Sequence, residues 1–175
     1  MEIVVAVGTW ALVLATLWLV HGQVSTAKDQ RKIQLYLELR KEFDSHTLLT
    51  AREMFAVQIL DGKPHEEMNQ AVLTFFEDLG MLFRRKYLDR EMVWETFGYF
   101  VKMWWSAAKD YIAKERANYN RDTFFFKDFQ LLVEQLSEYD VKKRCKPRAE
   151  LEPSAADIKA FLETEVLRPR TGKAG

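Results

Sequence analysis

A single cysteine, four prolines and seven glycines are all that this 175-residue chain has of the residues that staple, break or loosen a backbone. Cys145 has no second thiol to pair with, which excludes an internal disulfide and fits a reducing compartment. So few glycines leave no phosphate cradle: the P-loop, the G-x-G-x-x-G fingerprint and the G-x-S-x-G elbow are all missing. None of the three histidines, His21, His46 and His65, follows an acid by three positions. The Glu-x-x-His pairs of a di-metal helical bundle are therefore absent, and neither a metal nor a cofactor is expected. Bases and acids balance at 26 each, which removes the basic excess of a nucleic-acid binder, so no nucleic-acid partner is expected.

What the sequence does have is one long apolar run. Residues 3–20 carry no charge, and as a helix they reach roughly 27 Å, close to the hydrocarbon thickness of about 30 Å. Only the acid Glu2 precedes the run, whereas Lys28, Arg31 and Lys32 follow it, so the positive-inside rule puts the rest of the chain in the cytoplasm. A cleaved signal peptide competes, because Ser25-Thr26-Ala27 offers small residues for cleavage. Against it stand the missing basic n-region and a run longer than the roughly 7 to 15 residues of an h-region. Residues 1–23 are thus expected as a single-pass anchor, with the lipid bilayer as the first partner. Ala11 and Ala15 make a small-xxx-small pair suited to helix pairing in the membrane.

Beyond the anchor, apolar residues recur near every 3.6 positions and no stretch alternates as a strand does, so the body is expected to be all-α. The expected layout is an antiparallel bundle of four to five helices over 28–143, a basic, proline-bearing linker over 144–153, a short amphipathic helix over 154–168 and a disordered tail over 169–175. The expected helices run from about Lys28 to Phe43, from Asp44 or Ser45 to Leu60, from His65 to Lys86, from Asp89 to Asn118 and from Asp122 to Lys143. Ser154 and Asp157 spell a capping box before the last helix. The core stripes are Leu35, Leu39 and Phe43; Leu48 or Leu49, Phe55 and Ile59; Val72, Leu73, Phe76, Leu79 and Phe83; Val93, Phe97, Phe100 or Val101, Trp104, Ala108, Tyr111 and Ile112; and Phe125, Phe129, Leu132, Val133 and Leu136.

No catalytic constellation emerges, so the candidate surfaces are of two other kinds. One helix carries more aromatics than one face can bury, and the off-stripe Trp94 and Trp105, with Phe124, are candidate interface residues. Glu77, Asp78, Arg84, Arg85, Asp89, Glu91 and Glu95 cluster about one helical turn-around. As structure they form a capping and ion-pair network; as chemistry they offer a polar site for a small ligand. Cys145 lies in the basic run Lys142-Lys-Arg-Cys-Lys-Pro-Arg148, which reads as a solvated helix end or as a contact with anionic lipid.

Several segments together carry a likeness: Leu39-Arg-Lys-Glu-Phe-Asp-Ser45, Ala51-Arg-Glu, Phe75-Phe-Glu-Asp-Leu-Gly80 and Asp89-Arg-Glu-Met-Val-Trp-Glu-Thr-Phe-Gly-Tyr99, then Trp104-Trp105 and Lys109-Asp-Tyr111. Over about Gln34 to Leu136 the chain resembles the bacterial helical family known as domain of unknown function 4760. The resemblance implies a bacterial inner-membrane protein with a spanning segment ahead of a helical domain, and implies no reaction, ligand or partner. The expected function is a membrane-tethered interaction or scaffold module that engages a protein partner or its own copies. A small-ligand sensor or enzyme built on Glu77, Arg84, Glu91 and Glu95 is the alternative, and a pore is disfavoured because the run offers only Thr9 and Thr16 as polar groups.

Overall fold

The structure is a computed structural model that describes residues 29–62, 70–118 and 124–168. The expected spanning segment 3–20 and the expected tail 169–175 lie outside these residues. Among the described residues no helix is long and apolar enough to cross a membrane.

Every regular element among the described residues is helical. Helix α1 occupies residues 29–43. It is followed by α2 His46–Leu60, α3 Ala71–Arg84, α4 Arg90–Asn118, α5 Lys127–Arg144, the single turn α6 Arg148–Leu151, and α7 Ala155–Leu167. Helix α3 packs chiefly on α5, α4 also lies on α5, and α2 rests on both α3 and α7. The result is a helical bundle, with α7 packed chiefly on α2 and also touching α4.

The starts of α2 and α4 have local causes. Ser45 caps α2 by accepting from the Leu48 amide at 3.2 Å. Asp89 caps α4, its Oδ1 accepting from Glu91 N at 2.9 Å and Met92 N at 3.1 Å. The start of α5 differs from the expected Asp122, which lies outside the described residues. Residues 124–126 form a turn, Phe126 takes the left-handed conformation (φ 52°), and the helix opens at Lys127. Arg116 on α4 fixes that turn, its Nε donating to Phe125 O at 2.9 Å.

Helix α3 ends in a Schellman motif: Lys86 N donates to Phe83 O at 2.9 Å and Tyr87 N to Leu82 O at 3.1 Å. The motif needs a left-handed residue after the cap, a place usually held by glycine, and here Lys86 fills it at φ 62°. Replacing Lys86 with glycine is therefore expected to stabilise the fold by about 0.5–1 kcal/mol, read as a rise in the urea midpoint at unchanged slope.

The core follows the expected stripes closely. Val72, Leu73, Phe76 and Leu79 of α3, Val93, Phe97, Trp104 and Ala108 of α4, and Phe129 and Leu136 of α5 are all fully buried. Phe76 stacks on Phe129 at 5.0 Å between centroids, and Phe55 on Trp104 at 5.6 Å. Tyr36 on α1 reaches Thr96 on α4 with its hydroxyl at 2.8 Å.

Two charged side chains lie deep in this core. Arg52 on α2 is wholly buried and Glu165 on α7 nearly so. Arg52 Nε and Nη2 donate to Glu165 Oε2 and Oε1, each at 2.7 Å, a two-pronged pairing. The third nitrogen, Nη1, donates to Phe43 O at the end of α1 at 3.4 Å. The guanidinium also lies 4.2 Å from the Phe43 ring centroid and 5.1 Å from that of Phe100. Burial pushes the Arg52 pKa below its ordinary value, and Glu165 works in the opposite direction. One guanidinium thus ties α1, α2 and α7 together.

Candidate functional site

On α4, Trp94, Gly98 and Lys102 recur every fourth residue and so share one stripe of the helix; on α5, Asp140 and Arg144 do the same. The two stripes meet. Lys102 Nζ pairs with Asp140 Oδ2. Arg144 Nε donates to Asp140 Oδ1 at 2.6 Å, and Trp94 Nε1 donates to the same oxygen at 3.1 Å. Asp140 is almost fully buried, so three donors on one carboxylate supply what water would otherwise give. Gly98 leaves room for the indole on its own helix, because a Cβ there would lie 3.3 Å from Trp94 Cδ1.

Burial alone would resist ionisation of Asp140, but Lys102 and Arg144 outweigh it and hold the carboxyl below its ordinary value. A depressed folded-state pKa adds stability above the unfolded value, near 3.9, and that stability disappears as pH falls through the lower folded value. Thermal melts of the wild type are thus expected to lose midpoint as pH drops below about 4. Asp140→Asn should begin less stable and show a shallower acid slope.

Above this charge centre opens a groove of about 680 Å³, within the range of about 300–1,000 Å³ typical of ligand sites. One wall is α4, with Trp94, Glu95 and Tyr99; the opposite wall is α7, with Ala160, Phe161 and Thr164. Residues 150–153, the end of α6 and the beginning of its link to α7, close one end. A smaller cavity of about 210 Å³ is lined by Trp105, Ser137 and Ile158, and shares Lys102 and residues 151–153 with the groove. The connecting strap therefore passes between two hollows. Tyr99 is 60 % exposed and rests edge-on against Phe161 at 5.8 Å.

Of the aromatic candidates, only Trp94 lines the groove. Trp105 is half-buried, its ring edge against Phe129 at 5.2 Å. Phe124 is 71 % exposed, with Lys127 Nζ 4.7 Å from its ring centroid. The seven polar candidates divide. Glu77 caps α5 from α3, accepting from Asp128 N at 3.1 Å and Phe129 N at 2.7 Å. Burial raises the Glu77 pKa and those two amides partly offset the rise. Arg84 clasps the Asp128 carboxylate at 2.7 and 3.0 Å, while Asp89 caps α4 and Glu91 pairs with Lys143. Asp78 and Arg85 are exposed, and only Glu95 reaches the groove. Sequence reasoning found no separate sign of Lys102, Asp140, Arg52 or Glu165, and Arg144, expected only as part of the basic run Lys142 to Arg148, turns back onto Asp140; the spacing of four through Trp94, Gly98 and Lys102 was the one signal available for the groove.

A family model matches residues 3–136, the one described as a domain of unknown function (DUF4760). The chain belongs to this family. The family match starts at the apolar run and not at Gln34, so the run is part of what the family shares, and it stops inside α5. Asp140, Arg144, the strap and α7 all lie beyond it, although α7 supplies one wall of the groove and one half of the buried ion pair. No curated protein and no solved structure matches the chain.

Proposed function

We propose that this chain is a membrane-tethered binding module of the inner membrane: residues 3–20 cross the bilayer, the helical body faces the cytoplasm, and the groove between α4, α5 and α7 receives a protein partner. The observation that supports this reading best is Tyr99. Its ring stands largely exposed on the wall of a groove that also presents the half-buried Trp94, aromatic area left over after the core has closed. Aromatic anchors framed by charged groups are what a protein-binding surface uses to gain affinity and orientation. The apolar run and the basic residues after it support the tether and its direction.

The test has two arms. Full-length protein should sediment with membranes and be released by detergent but not by high salt. Partners captured from a detergent extract by the wild type should be lost with Tyr99→Ala, whose exposed position leaves the fold intact. An identical set of captured proteins for both would defeat the groove as the docking surface. The alternative of a ligand site on Glu77, Arg84, Glu91 and Glu95 has less support, because three of the four are engaged in capping or ion pairs elsewhere.

A further inference from the structure

We propose that α7 is an exchangeable element: two copies of this chain swap their C-terminal helices, so that each groove is completed by the other copy's α7. The inference concerns the seat beneath α7 and stands whether or not the groove has a separate partner.

Three features make α7 separable. The strap over residues 145–153 contributes no buried side chain, and its single turn α6 buries nothing. Cys145 in the left-handed conformation ends α5, and Pro147 and Pro153 bar helix from running through, so the strap breaks at both ends. The helix also carries its own N-terminal cap, since Ser154 and Asp157 satisfy one another's backbone amides at 2.9 and 3.2 Å. Releasing α7 as a unit breaks none of these contacts.

The seat is equally definite about what may refill it. Helix α7 presents Ile158, Phe161, Leu162 and Glu165, the i, i+3, i+4, i+7 pattern of a helix laid into a groove. Phe161 fits among Tyr99, Phe100 and Trp104 at 5.8, 6.4 and 5.1 Å. Below it, Arg52 needs a carboxylate at a fixed depth and in a two-pronged geometry, since a buried guanidinium without one is strongly disfavoured. An acid at the fourth anchor is an uncommon demand, and the same segment of a second copy meets it in full. Swapped and unswapped arrangements share the same contacts, so local concentration decides between them. Tethering in a membrane would raise that concentration.

Charge reversal at the ion pair tests this in the full-length chain. Arg52→Glu and Glu165→Arg each place two like charges at the buried site, and combining both in one chain restores opposite charges within it. If helices exchange, mixing the two single variants restores opposite charges at both seats of a mixed dimer. Differently tagged single variants are then expected to co-purify on the order of a hundredfold more than either variant with itself. A double variant that regains the wild-type melting midpoint beside a mixture showing no such enrichment would overturn the proposal. If the double variant does not recover, exposed positions decide: with Cys145→Ser in both chains, one carries Tyr99→Cys and the other Thr164→Cys. A short bis-maleimide joining the two chains supports exchange, and its failure to join them overturns it.

Discussion

Replacing Glu165 with glutamine is expected to destabilise the fold by about 3–5 kcal/mol, a large share of the roughly 5–15 kcal/mol that holds a typical domain together. The side chain keeps its shape but loses its charge, so Arg52 remains buried, wrapped by Phe43 and Phe100, with one neutral acceptor where it had a carboxylate. Urea denaturation followed by circular dichroism would show the loss as a lower midpoint. The paired replacement Arg52→Met with Glu165→Leu should recover most of it, because two apolar side chains of similar volume avoid the desolvation that both charges require. A single Glu165→Gln change that left the unfolding free energy within about 0.5 kcal/mol of wild type would show the pair to be solvated and not buried.

The second large effect is expected at Gly80. A Cβ there would lie 2.2 Å from Asp128 O and 2.5 Å from Asp128 C, both backbone atoms of α5. A flexible side chain can step aside, but a helix backbone cannot, so Gly80→Ala forces α3 and α5 apart. The same contact carries the Glu77 cap and the Arg84–Asp128 clasp, which separation would stretch together. The expected loss is about 3 kcal/mol, overpacking and a weakened cap combined. Amide exchange at Asp128 and Phe129 should speed up alongside it. Gly98→Ala is the internal control: its nearest neighbour is the Trp94 side chain at 3.3 Å, which can shift, so its effect should stay below about 1 kcal/mol.

The helices of the body were legible because their apolar stripes are clean. Val72, Leu73, Phe76, Leu79 and Phe83 repeat at helical spacing and all are buried, and the α4 stripe from Val93 to Ile112 behaves the same way. The start of α5 was not legible, because its cap, Glu77, comes from a helix some fifty positions earlier, and spacing within one segment carries no trace of that. Arg52 and Glu165 escaped notice for a related reason. A charged residue in an amphipathic helix reads as solvated unless its partner is known, and the partner here is 113 residues away. The groove was half-visible: Trp94 stood out as off-stripe, while nothing in the spacing of either segment marks Lys102 or Asp140 as partners, because they sit on different helices 38 residues apart.

The exposed strap between α5 and α7 has one more consequence. A protease added to the folded protein should cut first within residues 145–153, where no side chain is held inside and proline limits regular structure. The severed C-terminal fragment should nonetheless remain attached through a native-condition gel filtration, held by Phe161, Leu162 and Glu165. A nicked preparation would then look intact by size and betray itself only on a denaturing gel.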